Sequence, residues 1–432
     1  MRRRRRGRRR RNRKKSFLLW TLSILLTAGV AGGIIFLVMQ SREEQTEEFF
    51  SGILLGFNSC SDLTLKEAEK NDEWIGKDRP EVRGIYVTGP MAGSSSFEQL
   101  LSLVDETELN TMVIDVKNDQ GEITFQMELE EAQEAGACVR YIQDMPAFMK
   151  TLKEHGIYTI ARIPCFKDPY LAAYAPELAL KKSDGTPVTD SNGLEWVNPY
   201  KEGVWEYLVK IAIEAGKLGF DEIQFDYVRF PIGSDAEQAD YGVDMENYTK
   251  EQAICAFLSY AVEELHKEQL VVSADVFGTI IGSETDVKNV GQDYVKLSEI
   301  VDVISPMVYP SHYANQVFGI PVPDAKPYDT VLAAMQDSEM ELAGIVQEDR
   351  AVVRPWLQAF TATWVTGHIS YGGEEIREQI QAVYDAGYRE WILWNASNRY
   401  VQDGLLPASG EGTDAPEPQD GTDYIPETVG NG

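Results

Sequence analysis

The sequence predicts an α/β protein, a (β/α)8 TIM barrel preceded by one N-terminal transmembrane helix. Three observations predict this fold class. Eight short apolar segments alternate with helix-like stretches between Glu81 and Arg399, which is typical of a parallel sheet covered by helices. The length of this region suits eight strand–helix units with loop insertions. An uncharged apolar run at residues 16–40 is long enough to cross a bilayer.

The first forty residues predict the membrane topology. Residues 1–15 hold twelve lysines and arginines and no acidic residue, and basic segments beside a membrane span stay in the cytoplasm. Small residues lie in the middle of the run at 16–40, which favours an uncleaved anchor over a signal peptide. We therefore expect a single-pass protein of the cell membrane, with a cytoplasmic N-terminus and an extracellular barrel. A nucleic-acid or anionic-lipid patch is the alternative role of the basic segment.

The remainder of the chain is strongly acidic. The formal net charge is −29 despite the basic start, and a surface of this charge repels nucleic acid. It also disfavours an acidic polymer as substrate, unless the binding cleft is locally basic. Residues 41–80 are charged and weakly patterned, which predicts a stalk before a barrel at 81–405. Residues 406–432 are rich in Pro, Gly, Asp, Glu and Thr, which predicts a disordered acidic tail.

The cysteines and histidines exclude several classes of protein. Four of each are present, and the cysteines are too few and too scattered for a disulfide framework. None of these residues has the spacing of a metal site. We therefore expect no metal and no cofactor.

Eight strands are predicted in chain order, at residues 83–88, 111–117, 157–165, 222–227, 271–277, 303–309, 352–359 and 390–395. The helix-like stretches between them lie near 97–108, 140–154, 202–218, 247–268, 292–300, 327–340 and 373–386. The longest connection, 166–201, follows the third strand, on the face where barrel active sites lie. A doubly wound parallel sheet is the alternative architecture.

Residue parity within the strands separates an apolar face from a polar one. Side chains on a strand alternate between the two faces of the sheet. In the fourth strand Ile223 and Phe225 share one face, whereas Asp226 lies on the other. The apolar face is expected to meet the helices, and the other face to point into the barrel. The polar and aromatic side chains near the carboxyl ends of the strands are Asp115, Lys117, Arg162, Asp226, Asp275, Tyr309, Trp356, Gln358 and Trp394.

Two of these side chains suit glycoside hydrolysis. That reaction needs one carboxyl group to protonate the leaving oxygen and another to act as nucleophile or base. Asp226 and Asp275 end consecutive strands, and neighbouring strands lie about 4.8 Å apart. Retaining enzymes hold their carboxyls roughly 5–5.5 Å apart. Two like charges this close raise one pKa, as a general acid requires.

The other inward side chains suit sugar binding. Tyr309, Trp356 and Trp394 offer flat rings, and several polar groups can hydrogen bond to hydroxyls or to a charged substituent. The predicted substrate-binding residues are Asp115, Lys117, Arg162, Arg229, Tyr309, Trp356, Gln358 and Trp394.

Each candidate also has a purely structural explanation. Asp115 is equally well explained as a buried ion-pair partner of Lys117 or Arg162, and Asp226 as a partner of Arg229. The tryptophans are as readily core residues as sugar platforms. Two other functions therefore stay open. One is a non-catalytic carbohydrate-binding or cell-wall scaffold barrel, and the other is a metal-dependent hydrolase that uses Asp115, Asp119 and Asp226.

One motif resembles a known family. FDYVRFP at residues 225–231, preceded by GFDEIQ at 219–224, resembles the fourth-strand signature of the putative glycosyl hydrolase domain family. Further matches occur in order along residues 81–400: VRGIYVT at 82–88, IDVK at 114–117, ARI at 161–163, SADVFG at 273–278, SPMVYP at 305–310 and RPWLQ at 354–358.

The resemblance implies an α-amylase-like glycosidase barrel, in which the aspartate that ends the fourth strand is the nucleophile. That position is Asp226 here. Such barrels usually place a glutamate general acid after the fifth strand, where this sequence has Asp275. Together, the residues and the resemblance predict a retaining glycoside hydrolase of extracellular or cell-wall polysaccharide.

Overall fold

The computed structural model describes residues 79–408, which form a closed barrel of eight parallel strands. The strands are β1 (Arg83–Val87), β2 (Thr111–Asp115), β3 (Tyr158–Pro164), β4 (Glu222–Asp226), β5 (Val271–Phe277), β6 (Val303–Met307), β7 (Trp356–Gln358) and β8 (Trp391–Trp394). Each pairs with the next along the chain, and β8 pairs with β1 to complete the circle. The (β/α)8 barrel is therefore confirmed, and the doubly wound alternative is wrong because both edges of the sheet are paired.

The seventh strand differs from its prediction. A short piece, Val352–Val353, pairs with β6, but pairing resumes only at Trp356. Arg354 and Pro355 separate the two pieces. Proline cannot donate a ladder hydrogen bond, which explains why the run at 352–359 is not one continuous strand.

Seven principal helices alternate with the strands: α1 (Phe97–Glu106), α2 (Met145–Glu154), α3 (Glu202–Leu218), α4 (Lys250–Lys267), α5 (Tyr294–Ser298), α6 (Pro327–Leu342) and α7 (Gly373–Asp385). Local sequence sets their ends. Thr249 and Gln252 form a capping box at the start of α4, which satisfies two backbone donors at a helix start. Gly219 ends α3 in the left-handed conformation, with φ of +100°.

The chain ends of the described region lie at the same end of the barrel. Within residues 79–408, the last regular element after β8 is a short 3-10 helix, Gln402–Gly404. The chain then runs back to the end of α1, where the Ala408 amide donates to the Glu106 carbonyl at 3.0 Å. At the other terminus, Arg79 pairs with Glu390, just before β8, at 2.7 Å. Both contacts lie where the strands begin.

The apolar faces of the strands meet the helices, as their parity predicts. Ile223 and Phe225 of β4 are fully buried. Phe257 of α4 packs edge-on against Phe225 and against Phe166, with ring centroids 5.3 Å apart in both cases. This core lies between the barrel wall and the helices, so the barrel interior is left to the other face of each strand.

A buried ion network fills the barrel where the strands begin. Arg354 forms a two-pronged ion pair with Glu222, and its other neighbour, Glu390, lies 3.7 Å away. The Ser273 hydroxyl also donates to Glu222. This end of a TIM barrel serves stability rather than chemistry.

Three predicted segments lie outside the described residues: the basic segment at 1–15, the anchor at 16–40 and almost all of the stalk at 41–80. The tail at 406–432 is described only as far as residue 408. Among residues 79–408, no helix combines the length and the apolar character needed to span a membrane.

Candidate active site

Arg162 lies at the centre of the barrel mouth, surrounded by three carboxylates. Its Nη1 donates to Asp115 at 2.7 Å and its Nη2 to Asp119 at 2.8 Å. Both Nε and Nη2 donate to Oδ2 of Asp226, at 2.9 and 2.5 Å. These contacts follow from strand register, because Asp115 of β2 pairs with Arg162 of β3, which in turn neighbours β4. One buried cation thus orients three acids from three elements.

Two aromatic rings cover the same guanidinium. The carbon at the centre of the Arg162 guanidinium lies 5.3 Å from the ring centroids of Tyr86 and of Trp394. These two rings stack on each other with centroids 4.0 Å apart, and the Tyr86 hydroxyl donates to Asp115 at 2.6 Å. Both rings therefore border the Arg162 guanidinium, and its side chain is only 1% exposed.

Asp226 ends β4 at a strained turn. Tyr227 has φ of +47°, a conformation that costs free energy in a residue with a bulky side chain and that clusters at functional sites. The strain directs the Tyr227 amide at Oδ1 of Asp226, to which it donates at 2.6 Å. Oδ2 takes both Arg162 bonds, whereas Oδ1 keeps a lone pair free. About 10% of the Asp226 side chain is exposed.

Asp275 stands directly beside Asp226. Phe225 of β4 pairs with Ala274 of β5, so the next residues, Asp226 and Asp275, are neighbours on the inner face. Asp275 is 1% exposed, and the indole Nε1 of Trp356 donates to its Oδ1 at 2.6 Å. Burial and the adjacent charge of Asp226 raise the pKa of Asp275 well above its usual range, although the indole bond opposes the shift.

The pKa values of the remaining two acids of the mouth are shifted in opposite directions. Burial raises the pKa of Asp115 to about 6, against the favourable charge of Arg162. Burial also opposes the ionisation of Asp119, but Arg162 and its hydrogen bonds hold the pKa of that group below its ordinary value. Asp119, whose side chain is 31% exposed, thus pairs with Arg162 at the outer edge of the site.

Arg229 does not pair with Asp226, contrary to the structural alternative considered above. The partner of Asp226 is Arg162, which β3 brings across the barrel. The guanidinium of Arg229 instead lies over the rings of Trp196, Tyr227 and Phe277, at 5.1, 5.2 and 4.7 Å. Burial lowers its pKa. It therefore forms part of the wall of the mouth beside Asp226.

Two predicted binding residues are occupied by internal contacts. Lys117 is fully buried, pairs with Asp168 at 2.9 Å and donates to the Pro164 carbonyl at 2.5 Å. The Gln358 amide donates to Asp324 at 2.9 Å and accepts from the Ser311 amide at 3.0 Å. In this structure Lys117 anchors the loop after β3, and Gln358 joins the loops after β6 and β7.

The predicted aromatic residues line the inner face as expected from parity. Tyr309, Trp356 and Trp394 are buried or half-buried. Trp356 meets Trp394 edge-on, with centroids 5.5 Å apart, and it carries the hydrogen bond to Asp275. Its indole therefore has a polar partner in the site as well as a packing role.

Sequence reasoning undervalued Asp119 and Tyr227. Asp119 lies two residues beyond the IDVK motif and belongs to no strand, so parity gives no information about its direction. Tyr227 lies two residues after Phe225, so parity predicts that it shares the apolar face, yet its positive φ turns its hydroxyl towards Asp119, 3.3 Å away. The sequence did contain a chemical signal for Asp119, since an acid in the loop that follows a strand lies on the active-site face of such a barrel.

The geometry argues against a metal ion between Asp115, Asp119 and Asp226. The Arg162 guanidinium already occupies the space between them and neutralises part of their charge. In the described part of the chain, no cluster of His, Cys, Asp and Glu has the arrangement of a metal site. A second cation among these carboxylates would be repelled by Arg162.

The fold and the site together define a class of protein. A closed (β/α)8 barrel with neighbouring carboxyl groups at the carboxyl ends of adjacent strands holds side chains of the kind that glycoside hydrolysis uses. The family described as "putative glycosyl hydrolase domain" matches residues 84–400. The chain belongs to this family, which confirms the resemblance seen in its motifs.

One solved structure supports the fold, and a second is similar in sequence over part of the chain. The glycoside hydrolase domain of PgaB (BpsB) from Bordetella bronchiseptica is 15% identical, with a TM-score of 0.53 over 73% of this chain and 94% of that one. A hypothetical protein from Ruminiclostridium thermocellum ATCC 27405 is 37% identical over 44% of this chain and 97% of its own, with a TM-score of 0.41. No curated protein matches the chain.

Proposed function

We propose that this protein is a retaining glycoside hydrolase of extracellular or cell-wall polysaccharide, with Asp226 as nucleophile and Asp275 as acid and then base. One observation carries the proposal: two neighbouring carboxyl groups stand in opposite electrostatic surroundings. Asp226 is ion-paired with Arg162, whereas burial and the charge of Asp226 raise the pKa of Asp275 well above its usual range. Raising the pKa of one carboxyl group in a catalytic pair is how glycosidases provide a general acid.

The proposed first step uses the free oxygen of Asp226. Its Oδ1 attacks the anomeric carbon while Asp275 gives its proton to the departing glycosidic oxygen, so the C–O bond breaks as the glycosyl–Asp226 ester forms. Asp275, now ionised, takes a proton from water, which cleaves the ester and restores both groups. Strand spacing near 4.8 Å supports this route over inversion, because an inverting pair needs room for water between its carboxyls.

The first test compares carboxyl-to-amide variants. Asp226→Asn should lower turnover of a sensitive polysaccharide about 10⁴-fold or more, because the amide is not a nucleophile. Asp275→Asn should lower it about 10²–10⁴-fold, and much less on an aryl glycoside whose leaving group needs no proton. The measurement is release of reducing ends from a panel of wall and capsule glycans.

Asp105→Asn is the matched control, since Asp105 is an exposed acid on α1, remote from the mouth. It should behave as wild type. Full activity of the Asp226→Asn variant would show that Asp226 is not the nucleophile. The anomer released first, read by NMR, decides between retention and inversion.

Location is part of the proposal. We propose that residues 16–40 anchor the chain in the cell membrane, with the barrel outside, where a polysaccharide substrate is found. The support is the basic segment at 1–15 followed by an uncharged apolar run. Protease treatment of intact cells tests this topology, because only an external barrel is degraded.

One observation favours a second candidate, a non-catalytic glycan-binding barrel. Both carboxyl groups are largely covered, since Asp275 is almost fully buried and Asp226 forms two hydrogen bonds to Arg162. This arrangement also suits an internal ion pair that only shapes the cleft. In that case the protein binds glycan with equal affinity after Asp226→Asn, and no reducing ends appear with any substrate.

A further inference from the structure

The mouth of the barrel is divided into a charged half and an uncharged half. The loops after β2, β3 and β4 carry Asp119, Lys167 and Arg229, respectively, among other charged residues. Residues 308–323, which form most of the loop after β6, and residues 359–372, which form the loop after β7, contain no Asp, Glu, Lys or Arg. The loop after β6 closes with the buried Asp324 and the exposed Lys326, next to α6. Charged residues make up 25% of the chain, so two neighbouring segments of this length without any are a marked local departure.

Aromatic rings lead outward across the uncharged half. Tyr309, at the end of the β6 region, is 5% exposed and lies close enough to Asp275 for the carboxylate to affect its pKa. Its ring centroid lies 6.1 Å from that of Phe360, which stacks on Trp364 at 5.9 Å. Trp364 is 67% exposed. Ring exposure thus increases with distance from the catalytic pair.

The two loops are joined into one unit. Gln358 donates to Asp324 and to the Phe360 carbonyl, and accepts from the Ser311 amide. The Tyr371 hydroxyl donates to the Asp324 carbonyl at 3.0 Å. Asp324 and Gln358 are almost completely buried, so the exposed Trp364 ring belongs to a loop tied at both ends to the barrel.

A second exposed ring lies on the neighbouring loop under backbone strain. Phe318 is 37% exposed and has φ of +56°, a conformation that a bulky residue adopts only at a cost. Tyr313 supports its ring at 5.3 Å. Strain of this kind is concentrated at ligand-contacting sites, and here it presents an apolar ring on an uncharged surface.

We propose that residues 308–323 and 359–372 bind uncharged sugar units of a polysaccharide that extends outward from the catalytic pair, with Trp364 as the stacking platform. This inference rests on the proposed function for its placement, and it adds that the substrate is a neutral polymer. Rigid aromatic rings bury the flat face of a pyranose. The hydroxyl groups of Thr363, Thr366 and Ser370, all exposed, suit its hydroxyls, whereas neither segment has a Lys or Arg to pair with an anionic chain.

The test measures binding of oligosaccharides of increasing length. N-acetylated chito-oligosaccharides and cello-oligosaccharides of one to six units are titrated into the full chain carrying Asp226→Asn, which keeps them intact. Adding Trp364→Ala should lower the affinity for the longest oligomers about tenfold, as expected for removing an aromatic anchor. It should change the affinity for the shortest oligomers less than about twofold. Trp364→Phe should retain most of the affinity, because the ring remains.

Met340→Ala is the matched control, because Met340 is 68% exposed on α6 and belongs to neither loop. The inference fails if Trp364→Ala leaves the length dependence unchanged, if no neutral oligomer binds, or if oligogalacturonides bind through Trp364 as tightly as neutral chains. It also fails if Trp364→Ala changes the oligomeric state in light scattering, which would indicate a protein interface. If neutral oligomers bind through Trp364 but the unsubstituted chain does not cleave them, the proposed catalysis is wrong and the proposed binding surface stands.

Discussion

At the residue scale, Arg162 explains how four acids coexist in one barrel mouth. It is ion-paired with Asp115, Asp119 and Asp226, so those carboxylates share one cation, whereas burial raises the pKa of Asp275. An arginine suits this place because its planar donor fork reaches several carboxylates in fixed geometry. Loss of this guanidinium would leave three acids in mutual repulsion.

Trp356 offers a way to test the role of Asp275 through pH. Asp275 must be protonated to act as an acid, so kcat/KM should fall as pH rises through its pKa. The indole N–H stabilises the ionised carboxylate and thereby opposes the upward shift. Trp356→Phe removes that donor, so the pKa of Asp275 rises further. The alkaline limb of the kcat/KM profile should therefore move to higher pH.

Trp391→Phe controls for the loss of an indole. Trp391 is also buried in the barrel wall, but its Nε1 donates to the Tyr384 hydroxyl on α7 at 2.9 Å, away from the mouth. The alkaline limb of the kcat/KM profile of Trp391→Phe should match that of wild type. An alkaline limb that stays in place in Trp356→Phe would mean that Asp275 does not set it.

Much of the residue-level site follows from parity alone. Alternation within strands placed Asp226, Asp275, Arg162 and Trp356 inside the barrel, and the structure agrees. Arg162 was one of the two partners predicted for Asp115, and the structure confirms that ion pair. The partner of Asp226 did not follow, because it comes from a strand distant in sequence. Arg229 is close to Asp226 along the chain, yet Arg162 is its neighbour across the sheet.

At the scale of elements, strand–helix alternation was readable because each strand is a short apolar run. Interruptions were harder to foresee. The seventh strand was predicted as one piece, although Pro355 removes a donor in its middle. The conformation of the loops could not be predicted from the sequence, since the rings of Phe360 and Trp364 meet only when the loop after β7 is folded.

Gly219 at the end of α3 supports a prediction of stability. Its φ of +100° disfavours any side chain, and a Cβ there would lie 2.8 Å from Nζ of Lys153. Gly219→Ala should lower the free energy of unfolding by about 1 kcal/mol or more, as measured by urea denaturation. Gly344→Ala is the control, because its Cβ would meet no atom within 4 Å. Equal stability of the two variants would contradict this view.

At the scale of the whole molecule, the two ends of the barrel interior have different tasks. The end where the strands begin is closed by Arg354 and Glu222, both fully buried, while the other end holds the acids. Buried ion pairs are costly to break because the remaining charge has no partner. We therefore expect the ion network of Arg354 and Glu222 to contribute to stability and not to the reaction.

Glu222→Gln tests whether this end of the barrel serves stability. It should lower the free energy of unfolding by about 3 kcal/mol, since Arg354 keeps a buried charge with only Glu390 nearby. Adding Arg354→Met to it should recover part of the loss, because the unpaired cation is gone. Glu98→Gln, at an exposed position on α1, should have little effect. Denaturant unfolding measures all three, and full stability of Glu222→Gln would refute the idea.

Both ends of the described chain lie at the end of the barrel where the strands begin. Arg79 pairs there with Glu390, and Ala408 bonds to the end of α1. A fusion partner or support joined at either of these ends is therefore attached at the end of the barrel opposite the acids. Fusion partners or immobilising supports joined at either end should leave access to the cleft unchanged.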